Sequence, residues 1–224
     1  TSERELVHYR QGNLMAIKFD KEKSLFIINL EGGSNSIIDP MDSYDGNGLW
    51  AVSGDGSAIG TDEQYFTQGT GSIRFTVTPS LGYAILENTT ISDFDLTDFL
   101  NNGFAFLDVF NPSSTDISQI DIRVGNDASN YYQISSTTRY NGAGIGISFG
   151  QVGFDLSTKV TVGSPTGTFN YVWIKLYASV AGTYRIDNLM VANPYYFKLP
   201  YYSIYNVKTD AGAYIERPTV NSDY

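Results

Sequence analysis

The segment Thr183-Tyr184-Arg185-Ile186-Asp187-Asn188-Leu189-Met190-Val191 changes phase in its middle. Tyr184 and Ile186 share one parity of an extended chain, and Leu189 and Val191 share the other. Side chains on a strand alternate faces with a period of two. One strand therefore buries both pairs on the same face only if an extra residue is inserted between them. Asp187-Asn188 is where that insertion must fall. Such a strand belongs to a sheet with one packed face, and its bulge puts polar side chains where a sandwich can hold an ion or a ligand.

The surrounding sequence agrees. Turn signals recur at Asp45-Gly46, Asn47-Gly48, Asp55-Gly56, residues 69–71, Asn111-Pro112, Asn126-Asp127, Asn141-Gly142 and Ala181-Gly182. Between them Ile73, Phe75 and Val77 alternate with Arg74 and Thr76. Ile120, Ile122 and Val124 alternate with Asp121 and Arg123, and Val172, Ile174 and Leu176 with Tyr171, Trp173, Lys175 and Tyr177. Residues 104–110 are apolar on nearly both parities, which predicts a strand in the middle of the sandwich. Residues 96–101 read as a single helical turn ended by Gly103, and the glycine-rich stretch 142–146 as a flat strand that allows close backbone approach. With no sustained helical period, residues 39–193 are expected to form an all-β, jelly-roll β-sandwich.

The flanks differ. Residues 1–38 hold three short strand candidates, 6–10, 14–20 and 24–30, separated by polar turns, which make a small N-terminal β meander. Residues 194–224 carry tyrosine pairs interrupted by Pro194, Pro200 and Pro218, and read as an extended aromatic C-terminal arm.

Composition removes several classes of function. Zero cysteines exclude a disulfide framework and thiol-based zinc binding. A formal charge of −10 argues against a nucleic-acid partner, which needs a basic footprint. No apolar run approaches the roughly 18 residues of a membrane span. His8 is the only histidine, which makes a Ser-His-Asp set improbable. Asp93, Asp95 and Asp98 cluster beside the helical turn and read as caps, not as a glycosidase pair. No enzyme is expected.

The main body resembles carbohydrate-binding-module-like jelly rolls of the galactose-binding-domain type. The resemblance rests on the order of an acidic opening with a Trp (39–50), Gly69-Thr70-Gly71-Ser72-Ile73-Arg74-Phe75, Asp95-Leu96-Thr97 before the apolar strand 104–110, the strand 171–174, and the closing Arg185-Ile186-Asp187-Asn188-Leu189. Asn188 stands where the pattern usually has a second Asp. In such modules the Asp matching Asp187 helps hold a structural calcium, so the resemblance implies calcium here, with Asp39 or Asp42 as a second carboxylate. From the residues alone, Asp187 equally reads as a bulge cap with no metal.

A second candidate site is the outward parity of residues 171–177. Tyr171, Trp173 and Tyr177, with Arg123, Tyr131 and Gln133 on a neighbouring strand, form a face suited to sugar rings. The competing reading packs this face under an arm or another subunit. Modules of this kind also occur in tailed-phage structural proteins. With the two flanks, that resemblance makes the first expectation a non-enzymatic virion structural or adhesion protein: a phage tail, fibre or capsid-surface component that packs as a homo-oligomer with other virion subunits and binds cell-surface glycan. The alternative is a carbohydrate-binding module of a secreted, extracellular bacterial polysaccharide-degrading enzyme.

Overall fold

The computed structural model describes residues 35–113, 117–140 and 142–193 in full, together with the backbone of four further strands nearer the ends. In chain order the strands are β1 (Glu5–Arg10), β2 (Asn13–Asp20), β3 (Leu25–Leu30), β4 (Asn35–Asp39), β5 (Trp50–Gly54), β6 (Gly56–Asp62), β7 (Ser72–Val77) and β8 (Ala84–Asn88). They continue with β9 (Phe104–Asn111), β10 (Ile120–Asp127), β11 (Asn130–Ser136), β12 (Ser148–Asp155), β13 (Val160–Val162), β14 (Tyr171–Leu176), β15 (Gly182–Ala192) and β16 (Tyr196–Pro200).

The chain divides into two compact units, Thr1–Gly33 with Tyr195–Tyr224, and Ser34–Pro194. In the first, β1, β2, β3 and β16 make an antiparallel sheet in that order, with His8 opposite Met15. The three N-terminal strands are those expected from the sequence. The C-terminal arm begins as an extended strand that pairs with β3, Tyr196 opposite Asn29. The remainder of the arm, 201–224, lies outside the described residues.

The second unit is a sandwich of two antiparallel sheets, ordered β13-β11-β10-β14-β8-β5 and β12-β9-β15-β7-β6, with β4 added alongside β15. Alternation decides which side chains meet between the layers. Ile73, Phe75 and Val77 of β7, Ala105, Leu107 and Val109 of β9, Ile120, Ile122 and Val124 of β10, and Val172, Ile174 and Leu176 of β14 all join one buried core. At roughly 25 cal/mol per Å² of apolar area removed from water, this core is the main stabilising contribution of the fold.

The phase change in β15 is resolved as the sequence requires. Tyr184, Ile186, Leu189 and Val191 are all at most 1 % exposed and belong to the same core. The β15–β9 register slips between Asp187 and Met190, and Asn188 takes a left-handed backbone at φ 55°. The bulge also changes the strand's neighbour: residues 182–186 pair with β7, and 189–192 with β4.

Corners follow local chemistry. β5 and β6 lie in different sheets, and Asp55 sits between them with its carboxylate accepting the N–H groups of Leu81, Gly82 and Tyr83. Residues 96–103 turn through Leu100 N–H to Leu96 O and Gly103 N–H to Phe99 O, after Asp95 accepts from Thr97. One expectation fails. The stretch 142–146 belongs to a loop, not a flat strand. That loop lays Arg139 and Tyr140 over β12, where a Cβ at Gly150 would collide with the Arg139 guanidinium, and one at Gly153 would come within 2.6 Å of Tyr140. Close approach was the right reason for glycines, but Gly150 and Gly153 supply it.

Candidate functional site

Strand parity turns Tyr171, Trp173 and Lys175 of β14 away from the core. Pairing then aligns them with β10, β11 and β8: Trp173 lies between Arg123 and Glu87, and Arg123 is opposite Gln133. Tyr171 is opposite Gly125, which is opposite Tyr131. A glycine is needed there, because a Cβ at Gly125 would stand 2.5 Å from Tyr131 Cα. The six aromatic and polar residues singled out in the sequence thus share one outer face of the six-stranded sheet.

The face is tightly organised. Tyr131, Tyr171 and Trp173 form a satellite cluster with Ile85 and Val162 packed against it. The Arg123 guanidinium lies 4.0 Å from the Trp173 ring centroid and 4.6 Å from that of Tyr131, and its Nε donates to Gln133 Oε1 at 2.8 Å. Lys175 Nζ sits 3.8 Å from the Tyr83 ring and 4.5 Å from the Tyr177 ring. Tyr171 donates its hydroxyl to Glu87 at 2.9 Å, and burial followed by that hydrogen bond pushes its pKa up. Tyr177 donates to Asp121 Oδ2, whose other oxygen accepts from Gln119.

Tyr83, Glu87 and Asp121 were missed from the sequence. Glu87 had a readable signal, since Ala84, Leu86 and Asn88 alternate with Ile85 and Glu87.

The bulge builds a second polar centre on the outer side of the other sheet. The loop between β6 and β7 crosses Asp187. Thr67 N–H (2.5 Å), Thr67 hydroxyl (2.6 Å) and Gln68 N–H (3.1 Å) all reach Asp187 Oδ2. The same hydroxyl is 2.7 Å from Asp108 Oδ2. It has one hydrogen and cannot serve both carboxylates at once. Asn188 donates its amide to Asp108 and its backbone N–H to Pro40 O. Asp187 Oδ1 and Asn188 Oδ1 are buried with no hydrogen-bond partner among the described residues. Burial, opposed by the Thr67 and Gln68 hydrogen bonds and aided by the Asp108 charge, raises the Asp187 pKa to about 6.

Orphaned oxygens on two consecutive residues of a bulge are the kind of donor a hard, oxygen-seeking cation such as calcium takes, because buried acceptors otherwise carry a desolvation cost. The other two acids are drawn elsewhere. Asp39 accepts from Met41 N–H at 2.7 Å and from the Trp50 indole at 2.8 Å. Asp42 Oδ1 accepts from Thr70 N–H at 2.8 Å, beside Gly69. Among the described residues no three His, Cys, Asp or Glu side chains cluster as a metal site. A cation here would rely on Asp187 together with amide and carbonyl oxygens.

Against known structures, a family 30 carbohydrate-binding module superposes with a TM-score of 0.51, at 14 % identity over 71 % of this chain and 99 % of that one. Another family 30 module gives 0.54, at 12 % identity over 71 % and 88 %. Over that share of its length the chain has their β-sandwich fold. The family 30 module of a cellulosomal cellulase of Clostridium thermocellum matches equally, with a TM-score of 0.51, 12 % identity, and coverage of 72 % and 98 %. A bacteriophage tailspike domain is a looser likeness, at 0.41 over 21 % of its length. No protein-family model and no curated protein matches the sequence. Among the described residues no helix is long and apolar enough to cross a membrane.

Proposed function

We propose that this chain is a non-catalytic carbohydrate-binding module whose outer β13-β11-β10-β14-β8-β5 face takes up a glycan. The observation that carries this reading is the continuous row Glu87–Trp173–Arg123–Gln133, flanked by tyrosines, on one sheet of a module-like sandwich. The part-exposed rings of Tyr83 and Tyr177 supply apolar surface for sugar C–H faces, and the neighbouring amide and cations supply the hydrogen bonds that orient hydroxyl groups. The module reading, with an extracellular setting, is preferred to a virion subunit because the stronger structural likenesses are to carbohydrate-binding modules.

Calcium at Asp187 has a structural role in this account. It would join the bulge of β15 to the loop carrying Thr67 and Gln68, on the sheet opposite the glycan face. Affinity electrophoresis tests the binding reading: migration should be retarded by at least one polysaccharide, and Tyr177→Ala should relieve much of that retardation. No retardation across a broad panel would leave packing between subunits as the better account.

A further inference from the structure

We propose that the glycan recognised by this face is acidic, with Arg123 and Lys175 as receptors for its carboxylate groups; the inference rests on the glycan-binding reading above. Both side chains are cations without a carboxylate partner among the described residues. Among the described residues, the hydrogen bond of Arg123 runs from Nε to the neutral Gln133, and Lys175 Nζ meets the rings of Tyr83 and Tyr177. The ion pair among the described residues lies on the other sheet, between Arg185 and Asp62.

The acids on this face make no ion pair with these cations among the described residues, although Asp121 stands opposite Lys175 in the strand register. Glu87 accepts from the Tyr171 hydroxyl, and Asp121 from Tyr177 and Gln119. The aromatic rings point the same way. Trp173 is 9 % exposed and Tyr131 8 %, and the Arg123 guanidinium lies over both rings. The rings form a bed beneath the cation, so a ligand arriving from solvent meets the half-buried guanidinium instead of an open indole.

Arg123 pairs with Trp173 and Lys175 with Asp121 on the same two strands, so the cations are diagonal neighbours, about 7–8 Å apart along the backbone. An arginine fork held flat by aromatic packing loses little freedom on meeting a planar carboxylate, and charge-assisted bonds of this kind are the strong ones. A polymer of uronic acid residues presents that group repeatedly. The formal charge of −10 disfavours indiscriminate attraction of polyanions, so such binding would have to be local.

The test uses the full chain in affinity gels containing polygalacturonate, a sulfated galactan, or a neutral β-glucan, at low and at high salt. The proposal expects retardation by polygalacturonate that weakens with salt, and a loss of about tenfold or more in affinity for Lys175→Met. Arg123→Lys, which keeps the charge but not the fork, should also weaken binding while the melting temperature holds. Retardation by neutral glucan alone overturns the acidic-ligand inference and leaves the module reading standing. So does preference for the sulfated polymer over the uronate, or uronate binding that neither variant changes. Absence of retardation by every polymer overturns both.

Discussion

Asp187 has a carboxyl oxygen without a hydrogen-bond partner among the described residues and a pKa raised by burial from 3.8 to about 6. The folded state therefore holds a proton more tightly than the unfolded chain. The resulting stabilisation is fully present below about pH 4 and is lost as pH rises through about 6, on the order of 3 kcal/mol in all. In chelator, Asp187→Asn should gain stability relative to the natural chain as pH goes from 4.5 to 7.5. If calcium takes the proton's place, millimolar calcium should raise the melting temperature of the natural chain at pH 7.5 and leave the variant unmoved. Melting curves at both pH values decide this, and a difference independent of pH would contradict it. Asp39 answers to another partner. Trp50→Phe removes the indole N–H from a buried carboxylate and should cost about 1–3 kcal/mol in urea unfolding. A cost below about 0.5 kcal/mol would mean that this hydrogen bond contributes little.

Among the elements, β15 was the most legible in the sequence, because a period-two conflict is local and had one polar dipeptide to absorb it. The consequences for substitution are specific. Asn188 sits at φ 55°, where glycine is at ease and β-branched residues are not. Asn188→Gly should fold normally, Asn188→Val should lose about 1–2 kcal/mol, and deletion of residue 188 should abolish folding by turning Leu189 and Val191 outward. A soluble, cooperatively folded deletion mutant would refute the bulge account. What β15 pairs with was not legible, since β9, β7 and β4 come from distant parts of the chain. The same division holds at the candidate sites. Strand parity identified which side chains share the outer face with Trp173. The contacts of Asp187 with Thr67 and Asp108 depend on a loop laid across the sheet, and no local pattern announces such a crossing. Asp108 did leave one trace, as the lone acid within the apolar run 104–110.

At the scale of the molecule, Ser34–Pro194 contains both sheets of the sandwich, the aromatic face and the bulge. A fragment of those residues should unfold in one cooperative step with the glycan affinity of the full chain; a molten fragment would show that the sandwich depends on the flanks. Two faces of the sandwich are open to a glycan, and only one carries Trp173, Arg123 and Lys175. Amide and indole shift mapping on isotope-labelled protein during titration with an acidic oligosaccharide locates the glycan directly. The prediction is that shifts concentrate on β10 and β14, led by the Trp173 indole, Arg123, Lys175 and Tyr177. Shifts gathered instead on the outer face of β12, β9, β15, β7 and β6, with the Trp173 indole unmoved, would contradict it.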